Sequence, residues 1–323
     1  MSSPVDSSGL QWTLTGLSVH WTGTGLWKVA WSPVRVQWTG LDWAGLDSNG
    51  LGIVPANLAW QKGHWNPLES TGVHMDYVGE GKDFRHGVKE ISGFLPMDLK
   101  IWYSLWNKVI SRNICAFLWK CMHNAHCCGE YGLKIPGYEQ HAQCRICDAN
   151  ESMEHILTDC RASGQNRVWE LAHELLTKKG LTQLPTNPTF GQILGCSLVN
   201  MHDQKGKLLK GSSRLYTIVI LEPAYLTWRL RCEWRIDRGE DPQRVHTKAE
   251  IAGRWLSMVN TRLKLDCLMT NKARYGCKAL NPVMVKQTWN NVLHDERGLP
   301  DNWISESGVL VGMRMVRPPG CNC

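Results

Sequence analysis

The chain has 323 residues, 43% of them hydrophobic and 20% charged, with a formal net charge of +7. That composition excludes a mostly disordered protein, leaves room for two domains, and decides between neither an enzyme nor a binding module. The excess of Lys and Arg is mild and spread over the last three quarters of the chain, so a nucleic-acid partner is permitted without being required.

Residues 1–75 are a different kind of sequence from the rest. Eight of the seventeen tryptophans lie before residue 66, among Gly, Leu, Thr and Ser with almost no charge. Gln37-Trp38-Thr39-Gly40-Leu41-Asp42 is followed by Trp43-Ala44-Gly45-Leu46-Asp47, a five-residue period with no alternation that a strand or helix could use. Such a period is what the pentanucleotide TGGAC encodes when read through successive codon phases. This Trp-rich, low-complexity head is therefore expected to be translated simple-repeat DNA and disordered. Its first residues, Met1-Ser-Ser-Pro-Val-Asp6, carry no basic stretch leading into an apolar one, so a secretory signal is not expected.

From Met97 the pattern turns helical. Leu99, Trp102, Tyr103 and Trp106 fall at helix spacing; Ser111 can cap a second helix whose Ile114, Phe117, Leu118 and Cys121 make one apolar face. Val168, Leu171, Ala172 and Leu175 repeat the pattern. Lys178 and Lys179 suit the C-terminal dipole of that helix, and Gly180 can end it.

Between these helices lies Cys144-Arg-Ile-Cys147-Asp-Ala-Asn-Glu-Ser-Met-Glu-His155-Ile-Leu-Thr-Asp-Cys160, with spacing C-x2-C-x7-H-x4-C. Two cysteines two residues apart can wrap one metal with both sulfurs, and a following element must bring the other pair. Asn150 or Ser152 can cap a short helix carrying His155, with Cys160 just past its end. Four N/S ligands with no carboxylate and no spare position describe one structural zinc ion, without a place for a catalytic water. Thirteen cysteines, an odd number and no secretion signal, make a disulfide framework the weaker alternative. A second metal or haem site among Cys115, Cys121, His123, His126, Cys127 and Cys128 lacks two clean pairs. The tail thiols Cys321 and Cys323 read as incidental.

Residues 181–212 hold Pro185, Pro188, Gly191, Gly195, Gly206 and Gly211 and are expected to be a linker. Further helices are expected over 215–237, with Pro223 as a break or start, over 247–271, and over 282–294 with Pro282 in the first turn. The apolar run from Tyr216 to Leu226 is cut by Glu222 and Pro223 and is too short to span a bilayer. The stretch from Trp303 onward is expected to be irregular.

Trp228-Arg-Leu-Arg-Cys-Glu-Trp-Arg235 offers Arg229, Arg231 and Arg235 to phosphates and Trp228 or Trp234 to base stacking. It also scans as an amphipathic helix with solvated arginines and core tryptophans, as do Arg254, Arg262, Lys264, Lys272 and Arg274. Near the cysteines, Arg145, Arg161 and Arg167 are the basic residues that could reach RNA or DNA phosphates.

The stretch from Ile110 to His126, the phrase Ile135-Pro-Gly-Tyr-Glu139, and the Cys/His run with Glu151-Ser-Met-Glu-His-Ile-Leu157 resemble the zinc-binding domain that follows the reverse transcriptase of non-LTR retrotransposons, in its mushroom-forming fungal form. Trp228-Arg-Leu-Arg-Cys232, Arg254-Trp-Leu256, Arg262-Leu-Lys-Leu265 and Thr270 to Tyr275 are similar to the region that follows it. The resemblance covers roughly residues 97–315. It implies zinc on Cys144, Cys147, His155 and Cys160, RNA or DNA as partner, a retrotransposon polymerase beside it, and a nuclear setting through the need to reach chromosomal DNA. The chain has no Asp-Asp pair and so no polymerase metal turn, and residues 1–96 have too few acids for an RNase H domain, so an accessory fragment rather than an enzyme is expected.

The expected fold is mainly α: a disordered head over 1–75, a small zinc-knuckle helical domain over 97–180, a linker over 181–212 and a C-terminal helical region over 213–305, with no membrane segment. The alternatives are a structural or protein-docking zinc module without nucleic-acid affinity, and a decayed relic with no activity.

Overall fold

The computed structural model describes residues 84–162 and 164–313, together with three short strands near the N-terminus. The protein is mainly helical. The strands β1 (Thr13–Leu14), β2 (Leu17–Thr22) and β3 (Leu26–Val29) pair antiparallel, with Val19 opposite Val29 and Trp21 opposite Trp27. Thr, Val and Trp are residues that pleated backbone favours. The remainder of the Trp-rich head, the five-residue repeat included, lies outside the described residues, as do Cys321 and Cys323.

The helices are α1 (Phe84–Ser92), α2 (Asp98–Ser104), α3 (Arg112–Met122), α4 (Glu130–Leu133), α5 (Gln165–Lys178), α6 (Phe190–Gly195), α7 (Lys210–Ile236), α8 (Lys248–Leu268), α9 (Lys272–Tyr275) and α10 (Pro282–Trp289). The apolar faces read from spacing are the buried ones in α3 and α5: Ile114, Phe117, Leu118 and Cys121, then Val168, Leu171, Ala172 and Leu175. In α2 the stripe fails. The helix stops at Ser104, and only Trp102 of the expected set is buried, while Tyr103 and Trp106 are exposed.

α7 is the axis of the fold, packing against α3, α5, α8 and α10. It runs through Pro223 instead of breaking there. Pro223 is itself buried, and its neighbours Ile220, Leu221 and Ala224 are in the core, so tertiary burial outweighs the lost amide hydrogen bond, whose cost is about 3 kcal/mol. Asp266 of α8 ties three helices together. It accepts from the Arg214 guanidinium of α7 at 2.5 and 2.8 Å and from Trp289 Nε1 of α10 at 2.8 Å.

The stretch 181–212 is not a linker. It contains α6, started by a capping box in which Thr189 and Gln192 exchange side-chain and backbone hydrogen bonds. Phe190, Ile193, Leu194, Cys196 and Val199 join a single buried core that runs from Val88 to Val311. The prolines and glycines there punctuate short elements; they do not keep the segment out of the core. The last described stretch also contributes, through buried Trp303, Ile304 and Val311. Among the described residues, no helix is long and apolar enough to cross a membrane.

Lys178 and Lys179 do not serve their own helix end. Lys178 Nζ donates to the carbonyls of Leu293 and Gly312 at 3.0 and 2.8 Å, and Lys179 Nζ to those of Gln287 and Asn290 at 2.8 and 2.9 Å. They cap α10 and the chain beyond it, a long-range use of the same attraction between a cation and orphan carbonyls. Gly180 does end α5, with a left-handed φ of 92°.

Candidate metal centre

The loop that carries the first two ligands is closed by backbone alone. Cys144 N donates to Ala149 O at 2.9 Å, Asp148 N donates back to Cys144 O at 2.8 Å, and Gln143 and Asn150 form an antiparallel bridge around them. Asp148 takes the left-handed turn at φ 53°, which a short polar side chain tolerates. Ser152 Oγ accepts from His155 N at 3.0 Å and starts the next turn. That turn is a π-helix over His155–Asp159, and Cys160 caps it, its amide donating to His155 O at 2.7 Å. Trp169 Nε1 of α5 donates to Leu157 O at 2.8 Å and anchors the turn to the main core.

These elements bring the four ligand atoms of Cys144, Cys147, His155 and Cys160 within 4.8 Å of one another. Cys144 and Cys160 Sγ lie 3.7 Å apart. A tetrahedral site with metal–sulfur arms of about 2.3 Å has edges near 3.8 Å, so the spacing fits four-coordinate N/S ligation. His155 Nε2 is buried and has no hydrogen-bond partner outside the cluster, which is the state of a ligand atom.

The sulfurs are prepared for charge. The hydrogen bond with Cys160 pulls the Cys144 thiol well below its ordinary range against the cost of burial, helped by His155 and by the amides of Ile146 and Cys147. The same shared bond, followed by burial, pushes Cys160 up. One of the pair ionises at the other's expense, and a cation between them removes that competition. Arg161 N donates to Cys147 Sγ at 3.3 Å.

Around the ligands lies a second layer that the sequence pattern did not reveal. Glu151, fully buried, forms an ion pair with Arg231 of α7, itself 2% exposed, and sits 3.7 Å from Arg235. Burial pushes the Glu151 carboxyl up, with the Arg231 charge opposing and the Cys144 thiolate adding to it. Buried Glu240 pairs with Arg235, with Arg145 Nε at 3.0 Å and with His141 Nδ1 at 2.9 Å. Trp234 is completely buried against Cys144, Cys160 and Ala162 in a small cluster separate from the main core, and its Nε1 donates to Asp241 O at 2.8 Å. The only sequence hint was the Trp/Arg phrase itself, which does not say which way its side chains face.

Of the basic residues proposed to meet phosphates, most are already committed. Arg231, Arg235 and Arg145 serve the carboxylates just described, which replaces the expectation of solvated arginines. Arg161 is exposed, but its guanidinium donates to Ile146 O at 2.9 Å; Arg167 pairs with Glu170 at 3.0 Å on α5. Arg229 is exposed on α7 with no ion pair among the described residues. Farther along, Arg254 holds Glu233, and Arg262 donates to Val109 O at 2.6 Å beside Glu222. Trp228 is part-buried, its ring 4.6 Å from that of His126.

The second Cys/His group does not converge on a metal. Cys121 Sγ and His126 Nε2 are 3.4 Å apart, His126 Nε2 also meets Phe117 O at 3.1 Å, and burial lowers the His126 pKa to about 4. Among the described residues only the Cys144 group gathers three or more such ligands. Comparison with family models, with curated protein sequences and with solved structures gave no match.

Proposed function

We propose that this chain is a zinc-binding accessory module of a retrotransposon reverse transcriptase, without a catalytic site of its own, that contacts RNA or DNA. The observation that carries the proposal is the closed donor set of Cys144, Cys147, His155 and Cys160. Three thiolates and one imidazole leave no coordination position for a water or substrate, so a bound zinc supplies folding energy instead of Lewis-acid chemistry. Three thiolates around a dication leave one net negative charge, and the Glu151–Arg231 and Glu240–Arg235 ion pairs pack in the layer around it. The resemblance of residues 97–315 to the retrotransposon region supplies the biological setting.

A second reading, a zinc module that docks on protein alone, is favoured by one observation: Arg145, Arg231 and Arg235 spend their charge on Glu151 and Glu240. A salt titration of zinc-loaded full-length protein with labelled RNA and DNA separates the two. Phosphate-driven binding weakens steeply between about 50 and 200 mM salt. The absence of salt-sensitive binding would leave the docking reading, and the absence of bound zinc would remove both.

A further inference from the structure

We propose that α2, the turn after it and α3 form a stacking platform for unpaired nucleic-acid bases. This rests on the nucleic-acid reading above and moves the contact away from the metal centre, whose arginines are taken. Tyr103, Trp106 and Trp119 are 54%, 59% and 44% exposed. Large exposed apolar groups gathered on neighbouring elements mark interaction sites. The elements that carry these three touch each other. The Trp119 and Trp102 rings lie 4.2 and 5.1 Å from the same His123 ring. Trp106 follows Trp102 by one turn, its amide donating to Tyr103 O at 3.1 Å, and Cys115 Sγ of α3 donates to Leu105 O at 3.0 Å, fastening the end of α2 to the first turn of α3.

Charge selects the occupant. From Leu99 to Gly129 there is no Asp or Glu, while the same stretch carries Lys100, Lys108, Arg112 and Lys120. All four are exposed, and none has a carboxylate within ion-pair distance among the described residues. Around the metal centre the arginines are neutralised by buried acids; here the cations are left unbalanced beside exposed π faces. A polyanion that also presents flat rings satisfies both features. In a duplex the base faces are covered by their neighbours, so ring stacking selects single strands. Trp106, Trp119 and Tyr103 take bases, and the four cations track the backbone.

The test uses zinc-loaded full-length protein, a labelled oligothymidylate or oligouridylate, a duplex of equal length, and polyglutamate as an acidic-polypeptide competitor. Trp106→Ala combined with Trp119→Ala weakens single-strand binding by roughly 25-fold or more, since each stacked ring contributes about fivefold at the least. Trp106→Phe with Trp119→Phe keeps most of the affinity. Lys108→Gln with Arg112→Gln, two exposed changes that touch no core, lower the salt slope by about 1.4 for a single strand. Unchanged binding in the double alanine variant, equal affinity for the duplex, or displacement by polyglutamate at equal charge would overturn the platform. Binding that depends on Arg161 and Arg229 but not on the rings defeats only this inference; a parent chain that binds no nucleic acid at all defeats the functional proposal with it.

Discussion

Arg231 and Glu151 form an ion pair in which neither side chain is more than 2% exposed, joining the last quarter of α7 to the loop between Cys147 and His155. A charge left alone at such depth is expensive, and the cost of breaking a buried pair is about 3–5 kcal/mol. Arg231→Ala is therefore expected to destabilise the protein by about that amount and to raise the zinc concentration needed for half-loading. The double variant Arg231→Met with Glu151→Leu recovers most of the loss, because no unpaired charge remains. Urea unfolding with and without added zinc measures both, and equal losses in the single and double variants would contradict the pair's role.

Removing the metal should act locally. Trp234, Cys144, Cys160 and Ala162 form a cluster apart from the core that runs from Val88 to Val311. Chelation, or Cys147→Ser, is expected to abolish stoichiometric zinc and to strip amide protection from residues 139–162 and the last turns of α7, while α5, α8 and α10 stay protected. Hydrogen exchange read by mass spectrometry follows each segment separately. Global loss of protection would mean that the two clusters fold as one.

Strong acid should release the Glu233 clamp. It accepts from Arg254 Nη2 at 2.8 Å and meets His246 Nε2 at 3.2 Å and Arg238 Nη2 at 3.3 Å. The Arg254 hydrogen bond, opposed by burial and helped by His246, holds its carboxyl down to about 2. An unfolded Glu titrates near about 4.3, so the folded state gains stability above that pH and loses it as pH falls toward 2. Glu233→Gln is expected to be less stable than the parent at pH 6 and to lose less stability than the parent between pH 5 and pH 3. Denaturant midpoints across that range test the sign.

α7 and α10 approach closely at Gly211. A Cβ there would fall well inside contact distance of the Gln287 backbone carbonyl, which cannot move without shifting α10. Gly211→Ala should cost roughly 1–3 kcal/mol, the usual range for overpacking. Gly253, inside α8, has nothing within 4 Å of the same position. Gly253→Ala should be neutral or stabilise by about 0.5–1 kcal/mol through helix propensity. Opposite signs in thermal unfolding of the two variants are the expected result.

What could be read in advance was whatever depends on local spacing. The four ligands, the faces of α3 and α5, the Ser152 start of the His155 turn and the Pro282 first turn all follow from periods of a few residues. The α6 capping box, Thr189 with Gln192, was equally local, and only the prolines and glycines around it concealed it. The rest depended on partners far along the chain. Whether Arg231 faces water or Glu151 is a matter of a separation of 80 positions and one helix rotation, and no local window of sequence contains both. Tyr103 and Trp106 show the same limit from the other side: helical spacing groups them with Leu99 and Trp102, but no element among the described residues covers them.

The separation between Cys160 and Trp234 also sets an order of events at the ribosome. All four ligands emerge before α7 begins, and roughly 70 more residues must be made before the helix that seals them is present. At ~5–20 residues per second that interval is on the order of 4–15 s. During those seconds the thiols are reachable by solvent, by oxidants and by the cell's metal carriers alike. A metal bound by these four residues would be captured before α7 exists, and Arg231 and Trp234 would then close over a site already loaded.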